Sequence, residues 1–267
     1  MPLAVCATPI GNLEDVTLRV LRELAEADVV LCEDTRRTRA LLVRHRVHAR
    51  LLSYHEHNEA QRTAELLPRL QAGDRIALVS DAGLPGVSDP GARLISAALE
   101  AAVPVTVLPG PSAVETALVA SGLMAERYQF VGYLPRGERA LLALAEELSR
   151  WPHAAVAFES PQRLARSLAV LARVIPDRPA AVCRELTKRF EEVARGSVWE
   201  LADRFAQPPR GEVTLVLGEA AAAAGEDAHA EEAVAELLGA GVSRRQAANL
   251  VARLTGVPRN RLYRSSL

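Results

Sequence analysis

Ser80-Asp81-Ala82-Gly83-Leu84-Pro85-Gly86-Val87-Ser88-Asp89-Pro90-Gly91 follows directly on the apolar run Arg75-Ile76-Ala77-Leu78-Val79, and this junction decides the fold class. A short apolar run bounded by turn formers reads as a buried strand. The small, acidic and Gly/Pro residues after it leave backbone donors and carbonyls unpaired at the strand's carboxyl end, where open α/β sheets bind ligands. The same junction recurs twice. Leu108-Pro109-Gly110-Pro111-Ser112-Ala113 follows Pro104-Val105-Thr106-Val107, and Ala7-Thr8-Pro9-Ile10-Gly11-Asn12 follows Leu3-Ala4-Val5-Cys6. Three strand-end loops are therefore expected to line one crevice.

Working outward, strand and helix patterns alternate. A helix is expected over 17–27, capped by Asp15 or Thr17, with Leu18, Leu21, Leu24 and Ala25 on one face; then a strand over 28–32, a helix over 38–46, a strand over 50–53 and a helix over 59–72. Such alternation predicts a mostly parallel sheet covered on both faces. After a helix over 112–120, Gly122-Leu123-Met124 marks the crossing into a second unit. There, strands near 128–132, 154–158, 180–183, 190–195 and 213–217 alternate with helices near 138–150, 162–174 and 198–205. The connection from Cys183 to Phe190 is too short for a helical crossover, so this sheet mixes parallel and antiparallel neighbours. Beyond the alanine run at 220–224 and a turn at Gly225-Glu226-Asp227, helical patterns over 228–238, 243–254 and 258–263 are joined by glycine turns, as in a helix-turn-helix. The expected division is an α/β domain over 1–118, a second α/β domain over 119–219 and a helical tail over 226–267.

The chain has 267 residues, 49% hydrophobic and 24% charged, enough for two ordinary domains with a real core. Its formal net charge of −1 argues against general polyanion binding. Positive charge gathers in the tail, at Arg244, Arg245, Arg253, Arg259, Arg261 and Arg264, which makes the tail either a nucleic-acid contact or a helical cap on the body. Cys6, Cys32 and Cys183 lie far apart in apolar runs and read as reduced, buried thiols. No apolar stretch approaches the roughly 20 residues that span a bilayer, and the amino terminus lacks a signal pattern, so a cytoplasmic protein is expected. Neither a G-x-G-x-x-G turn after the first strand nor a P-loop occurs.

Charged groups cluster where strands end. Glu33-Asp34-Thr35-Arg36-Arg37-Thr38 offers carboxylates and arginines for a polar substrate, or salt bridges at a helix start. Tyr54-His55-Glu56-His57-Asn58-Glu59 lacks the further His or Cys that zinc needs; it reads as polar substrate recognition or a solvated loop, and no metal is expected. Phe158-Glu159-Ser160 and Cys183-Arg184-Glu185-Leu186-Thr187-Lys188 repeat the pattern in the second unit, and Arg210-Gly211-Glu212-Val213-Thr214 is placed to close the same cleft. A buried network joining Glu159, Arg184 and Glu185 is the plain structural alternative.

Thr8-Pro9-Ile10-Gly11-Asn12, Glu33-Asp34-Thr35-Arg36, Ser80-Asp81-Ala82-Gly83, Asp89-Pro90-Gly91, Pro109-Gly110-Pro111-Ser112-Ala113, Phe158-Glu159-Ser160 and Arg184-Glu185-Leu186-Thr187-Lys188, in this order, resemble the ribosomal RNA small-subunit methyltransferase I family of the tetrapyrrole-methylase superfamily. The resemblance implies two α/β domains of tetrapyrrole-methylase type with a C-terminal helix-turn-helix tail, S-adenosylmethionine as methyl donor, and a homodimer. The acceptor it implies is the ribose 2′-hydroxyl of a cytidine in 16S rRNA, near the decoding centre. Carried onto this chain, the donor lies along Pro9, Asp81, Ala82, Gly83, Val87, Ser112 and Ala113, with Leu186 and Thr214 from the second domain. Arg36, His57, Arg184 and Lys188 are candidates for the RNA side, joined by Arg244, Arg245 and Arg259 of the tail. In-line methyl transfer needs alignment above all. Glu33, Asp34, Asp81, Glu159 and Glu185 are candidate proton acceptors, and Lys188 joins them if its surroundings lower its proton affinity. Two other functions stay open: methylation of a corrinoid or porphyrin precursor, and a non-enzymatic RNA- or DNA-binding assembly factor.

Overall fold

The computed structural model describes residues 2–86, 89–220, 224–259 and 262–263, with the side chains of 224–229 outside that description. The first sheet holds β1 (Leu3–Cys6), β2 (Val29–Cys32), β3 (Leu51–Ser53), β4 (Ile76–Val79) and β5 (Val105–Leu108) in the order β3-β2-β4-β1-β5, every pair parallel. Every residue of β1, β2 and β4 is buried, as continuous apolar strands between two helical layers must be. Side chains alternate between the layers. Ala4, Cys6, Val30, Cys32 and Ala77 meet Val20 and Leu24 of α1 (Leu18–Glu26) and Leu41 and Leu42 of α2 (Thr35–Arg44). Leu3, Leu31, Ile76 and Leu78 meet Leu66 and Leu70 of α3 (Glu59–Gln71) and Leu94 and Ala98 of α4 (Ala92–Glu100).

Helix α4 is absent from the sequence-based reading, which runs from the Gly/Pro loop straight to the next strand. Its buried contacts are only Leu94 and Ala98, one helical turn apart, and it opens on Gly91 at φ +133° rather than on a capping side chain. Helix α2 begins at Thr35, three residues before the expected 38, because the Asp34 carboxylate accepts from the Arg36 backbone N–H and caps it.

The second sheet orders β6 (Tyr128–Tyr133), β7 (Ala154–Glu159), β8 (Pro179–Arg184), β9 (Glu192–Ser197) and β10 (Val213–Leu217) as β6-β7-β10-β8-β9. Only β6 and β7 run parallel; β10 is antiparallel to β7 and β8, and β9 to β8. Strand β9 starts two residues later than expected. The segment before it folds into a turn, with Glu191 N–H donating to Lys188 O and Thr187 N–H to the Glu191 carboxylate. One face is covered by α6 (Glu138–Arg150), α7 (Pro161–Ala172) and α8 (Val198–Arg204). The other receives α5 (Ala113–Ser121), whose Val114, Ala117 and Leu118 pack on Val156, Ala181, Cys183 and Val216. Helix α5 thus leaves the last strand of the first sheet and docks on a face of the second, which ties the two sheets together.

In the tail, α9 (Ala224–Gly239) and α10 (Arg244–Thr255) enclose their own core of Ala230, Val234, Ala247, Ala248, Val251, Val257 and Leu262. The turn expected at 225–227 is instead the first turn of α9. The third expected helix, 258–263, includes Asn260 and Arg261, which lie outside the described residues, as do the remainder of the expected alanine run at 221–223 and Arg264. Among the described residues, no helix is long and apolar enough to cross a membrane.

Candidate functional site

Because β4, β1 and β5 are adjacent and parallel, the three strand-end loops emerge side by side. Backbone pairing joins the first two: Thr8 N–H donates to Gly83 O at 2.8 Å, and Gly83 N–H to Thr8 O at 3.0 Å. Gly83 takes φ +79°, a conformation that glycine adopts without steric cost. Thr8 Oγ1 donates to Ser80 O at 3.0 Å, and Ser80 Oγ donates to Gly83 O at 3.1 Å, so the Asp81-Ala82-Gly83 turn is fixed internally. Gly110 lies so close to the first loop that a Cβ there would sit 2.8 Å from the Ala7 Cβ.

The second domain closes over these loops. A Cβ on Gly11 would meet Leu186 O at 2.7 Å, and Asn12 N–H donates to Thr187 Oγ1 at 2.9 Å. Glu185 and Thr187, neither of them glycine, hold φ of +53° and +65° around Leu186. Left-handed non-glycine residues are uncommon and point to a functional constraint on the turn. Between the sheets lies a cavity of about 760 Å³, bounded by Asp81, Ala82, Gly83, Asp89 and 109–115 on one side and by Tyr128, Phe130, Tyr133, Phe158, Leu186 and Thr214 on the other. Its size suits a small organic molecule with mixed apolar and polar contacts. A smaller recess of about 270 Å³ adjoins it, lined by Pro9, Gly11, Arg37 and Lys188.

Hydrogen bonding separates the charged candidates. Asp34 is occupied by Arg36, whose Nε and Nη2 donate to its carboxylate at 3.0 and 2.7 Å, holding it well below the usual carboxylate range. Glu159 is sealed in the interior, accepting from Ser160 N–H at 2.6 Å, from Ser167 Oγ and from Arg163. Glu185 accepts from Glu212 N–H and from Lys188 Nζ, each at 2.9 Å, and is lowered by them. The condition placed on Lys188 is not met: burial opposes its charge, but the Glu212 and Glu185 carboxylates outweigh burial and raise its pKa, so the ammonium keeps its proton. Asp81 accepts from Asp34 N–H at 3.0 Å and faces Arg37 Nε at 3.6 Å. Burial, then Asp81, raises Glu33, which stands exposed at the cavity's mouth.

Asp81, Ala82, Gly83, Ser112, Ala113, Leu186, Thr214, Glu33 and Glu159 line the main cavity, whereas Pro9 and Lys188 line the adjoining recess. Val87 lies outside the described residues. Arg36 and His57 are exposed, and Arg184 is tied to Glu192 and to Arg210 O. On the tail, Arg245 and Arg259 are exposed and Arg244 is half-buried; none of the three borders the cavity. Three contributors escape the sequence-based selection. Arg37 spans the cleft between Asp81 and Glu212, at 3.6 and 4.0 Å. Tyr128 Oη donates at 2.7 Å to Glu115, which Ser112 Oγ also approaches. Asp89 borders the cavity half-buried, its carboxyl pushed up to about 6 by burial and then by Glu33 and Asp81. Asp89 sits inside a motif visible in the sequence, but its shelter depends on the fold. Among the described residues, no group of three or more His, Cys, Asp or Glu side chains has the arrangement to hold a metal ion.

Comparison with known proteins accords with this architecture. The family model described as Tetrapyrrole (Corrin/Porphyrin) Methylases matches residues 2–202, and that of the RsmI C-terminal HTH domain matches 220–267. The chain is 44% identical over 99% of its length, and 91% of the relative's, to the "Ribosomal RNA small subunit methyltransferase I" of Mesorhizobium japonicum. It is 45% identical over 98% of its length, and 85% of the relative's, to the protein of that name from Micromonospora olivasterospora. Among solved structures, a uroporphyrin-III C-methyl transferase from Thermus thermophilus, complexed with S-adenyl homocysteine, shares the fold with a TM-score of 0.60 at 21% identity, covering 81% of this chain and 97% of that one.

Proposed function

Since the chain belongs to the tetrapyrrole methylase family, and within it to the ribosomal RNA small subunit methyltransferase I group, we propose that it transfers a methyl group from S-adenosylmethionine to the ribose 2′-hydroxyl of a cytidine in 16S rRNA near the decoding centre. The observation that carries this reading is the convergence of the 81–83 and 109–113 turns on one 760 Å³ cavity in a chain so closely related to enzymes of that name. The residues present fit the donor. Backbone groups at glycine-dependent turns face the cavity beside Ile10, Leu84 and Leu186, and carboxylates at Glu33, Asp81 and Asp89 favour a cationic guest. When bound, S-adenosylmethionine supplies a methyl group already activated by its sulfonium charge.

The chain's own work is then alignment and exclusion of water. The bonded Thr8–Ser80–Gly83 turn fixes one wall, and Leu186 and Thr214 press from the other domain. The donor side of the site comprises Pro9, Asp81, Ala82, Gly83, Ser112, Ala113, Leu186 and Thr214. Arg36, His57, Arg184 and the tail arginines form the RNA side, with the domain division at 118/119 and a homodimer as parts of the same reading. Incubation of small ribosomal subunits with labelled donor, followed by nucleoside mass spectrometry, tests it. 2′-O-methylcytidine at one 16S position is expected. A methylated base refutes the ribose assignment, and methylation of a precorrin with none on RNA refutes the rRNA acceptor.

A further inference from the structure

Six carboxylates border the main cavity, Glu33, Asp81, Asp89, Glu115, Glu159 and Glu212, against one cation among the described residues, Arg37. From outside that border, Arg163 counters Glu159, and Lys188 counters Glu212 at 2.8 Å. A border this acidic suits a cationic donor and opposes an anionic acceptor. A ribose that presents its 2′-hydroxyl from within a strand carries a phosphodiester on the adjacent 3′-oxygen, so a negative charge must enter with it. That charge needs a partner on the chain. The nearby cations differ in how far they are committed. Arg36 is bound to Asp34 at 3.0 and 2.7 Å, Arg184 to Glu192 at 3.0 and 2.8 Å, and Lys188 to Glu185 and Glu212 at 2.9 and 2.8 Å. Arg37 makes no hydrogen bond among the described residues; it has only loose ion pairs with Asp81 at 3.6 Å and Glu212 at 4.0 Å, and its side chain is 59% exposed. It borders both the cavity and the smaller recess, and so stands where the two spaces join.

Resting on the rRNA-methylation reading of the cavity, we propose that Arg37 holds the phosphodiester next to the acceptor ribose, at the junction of cavity and recess, and thereby aims the 2′-hydroxyl at the donor. Its planar guanidinium exchanges two loose carboxylate contacts for a bidentate bond to phosphate oxygens. Release leaves neither carboxylate bare, because Asp81 keeps the Asp34 N–H at 3.0 Å and Glu212 keeps Lys188 at 2.8 Å. The exchange is therefore cheap. Arg37 lies in the first turn of α2, whose start is fixed by the Asp34 cap, so the charge has a defined place at the strand-end edge of the first sheet. Before RNA arrives, Asp81 and Glu212 keep the guanidinium across the cleft; afterwards Asp81 is left to face the cationic donor. Arg37 binds the strand and moves no proton.

The test is initial-rate methylation of small ribosomal subunits over a range of salt concentrations by the unaltered chain, Arg37→Ala and Arg37→Lys, with calorimetric titration of S-adenosylmethionine and S-adenosylhomocysteine into each. Arg37→Ala is expected to lower kcat/KM about 10-fold, chiefly through KM, as for a lost charge-assisted hydrogen bond. The log–log slope of KM against salt flattens by about 0.7 to 0.9, the share of one phosphate. Arg37→Lys keeps that slope but recovers only part of the loss, because a point charge replaces the fork. Removing the cation leaves Asp81 more open to a positive guest, so the donor binds at least as tightly as before, while its product with an uncharged sulfur gains less. A kcat/KM for Arg37→Ala within about threefold of the unaltered chain, an unaltered salt slope, or a donor Kd raised about threefold or more overturns the inference. A residue that merely tied the domains through Asp81 and Glu212 would leave the slope in place. Failure of the unaltered chain to methylate subunits is a separate result: it overturns the reading of the cavity, and the inference with it.

Discussion

Asp89 is placed where its charge is disfavoured. Its folded-state carboxyl lies near 6, above the ordinary 3.8, so the folded protein binds more protons than the unfolded chain between those values. Stability then declines as pH rises through about 6, and the full contribution is present only below the unfolded value. Asp89→Asn is therefore expected to be more stable than the unaltered chain at pH 8, by about 1 kcal/mol for a half-screened group, with no difference at pH 3; urea midpoints at the two pH values check this. Glu159 is instead held by partners. Glu159→Gln leaves the half-buried Arg163 without its counter-charge and is expected to cost about 3 kcal/mol in denaturant unfolding. Residue types at strand ends were legible in the sequence, but which carboxylates are consumed by structural bonds was not. Glu159 is the partial exception: Arg163 and Ser167 follow it at positions +4 and +8, one face of the helix that starts just after it.

At the scale of elements, strands that are apolar throughout were the most readable. Burial on both faces leaves β1, β2 and β4 no alternative pattern, and turn-forming residues bound them sharply. Elements whose limits rest on tertiary partners were not. Helix α4 offers only two buried side chains, and β9 gives up Phe190 and Glu191 to the turn that also holds Thr187 and Lys188. Local chemistry does define α8. Ser197 Oγ accepts from Glu200 N–H at 3.2 Å while the Glu200 carboxylate accepts from Ser197 N–H at 2.7 Å, a reciprocal capping box. Ser197→Ala is expected to lower stability by about 1 kcal/mol, read from the thermal midpoint, with donor affinity unchanged because α8 lies on the sheet face away from the cavity.

For the whole molecule, the cavity rests on two sheets joined through α5 and through the contact of Gly11 with the 186–188 turn. A side chain at Gly11 would strike backbone as well as side chains, with Leu186 O at 2.7 Å, so Gly11→Val must part the domains. A weakening of donor binding by 10-fold or more is expected for a shift of about 1 Å at the site, measured by calorimetry. On the proposed reading, the tail, with its separate core and exposed arginines, captures RNA away from the cavity. Replacing Arg244 and Arg245 together by Ala is expected to raise the subunit KM several-fold without changing donor Kd. Its salt dependence is expected to flatten by about 0.7 to 0.9 in log–log slope for each phosphate that the tail no longer neutralises.

A crystal structure of the chain with S-adenosylhomocysteine tests the central claim most directly. The product is expected between the Asp81-Ala82-Gly83 turn and residues 109–113, touching Leu186 or Thr214 from the opposite domain. Density for it at any other place, or packed side chains closing that space while the ligand binds tightly in solution, would contradict the account.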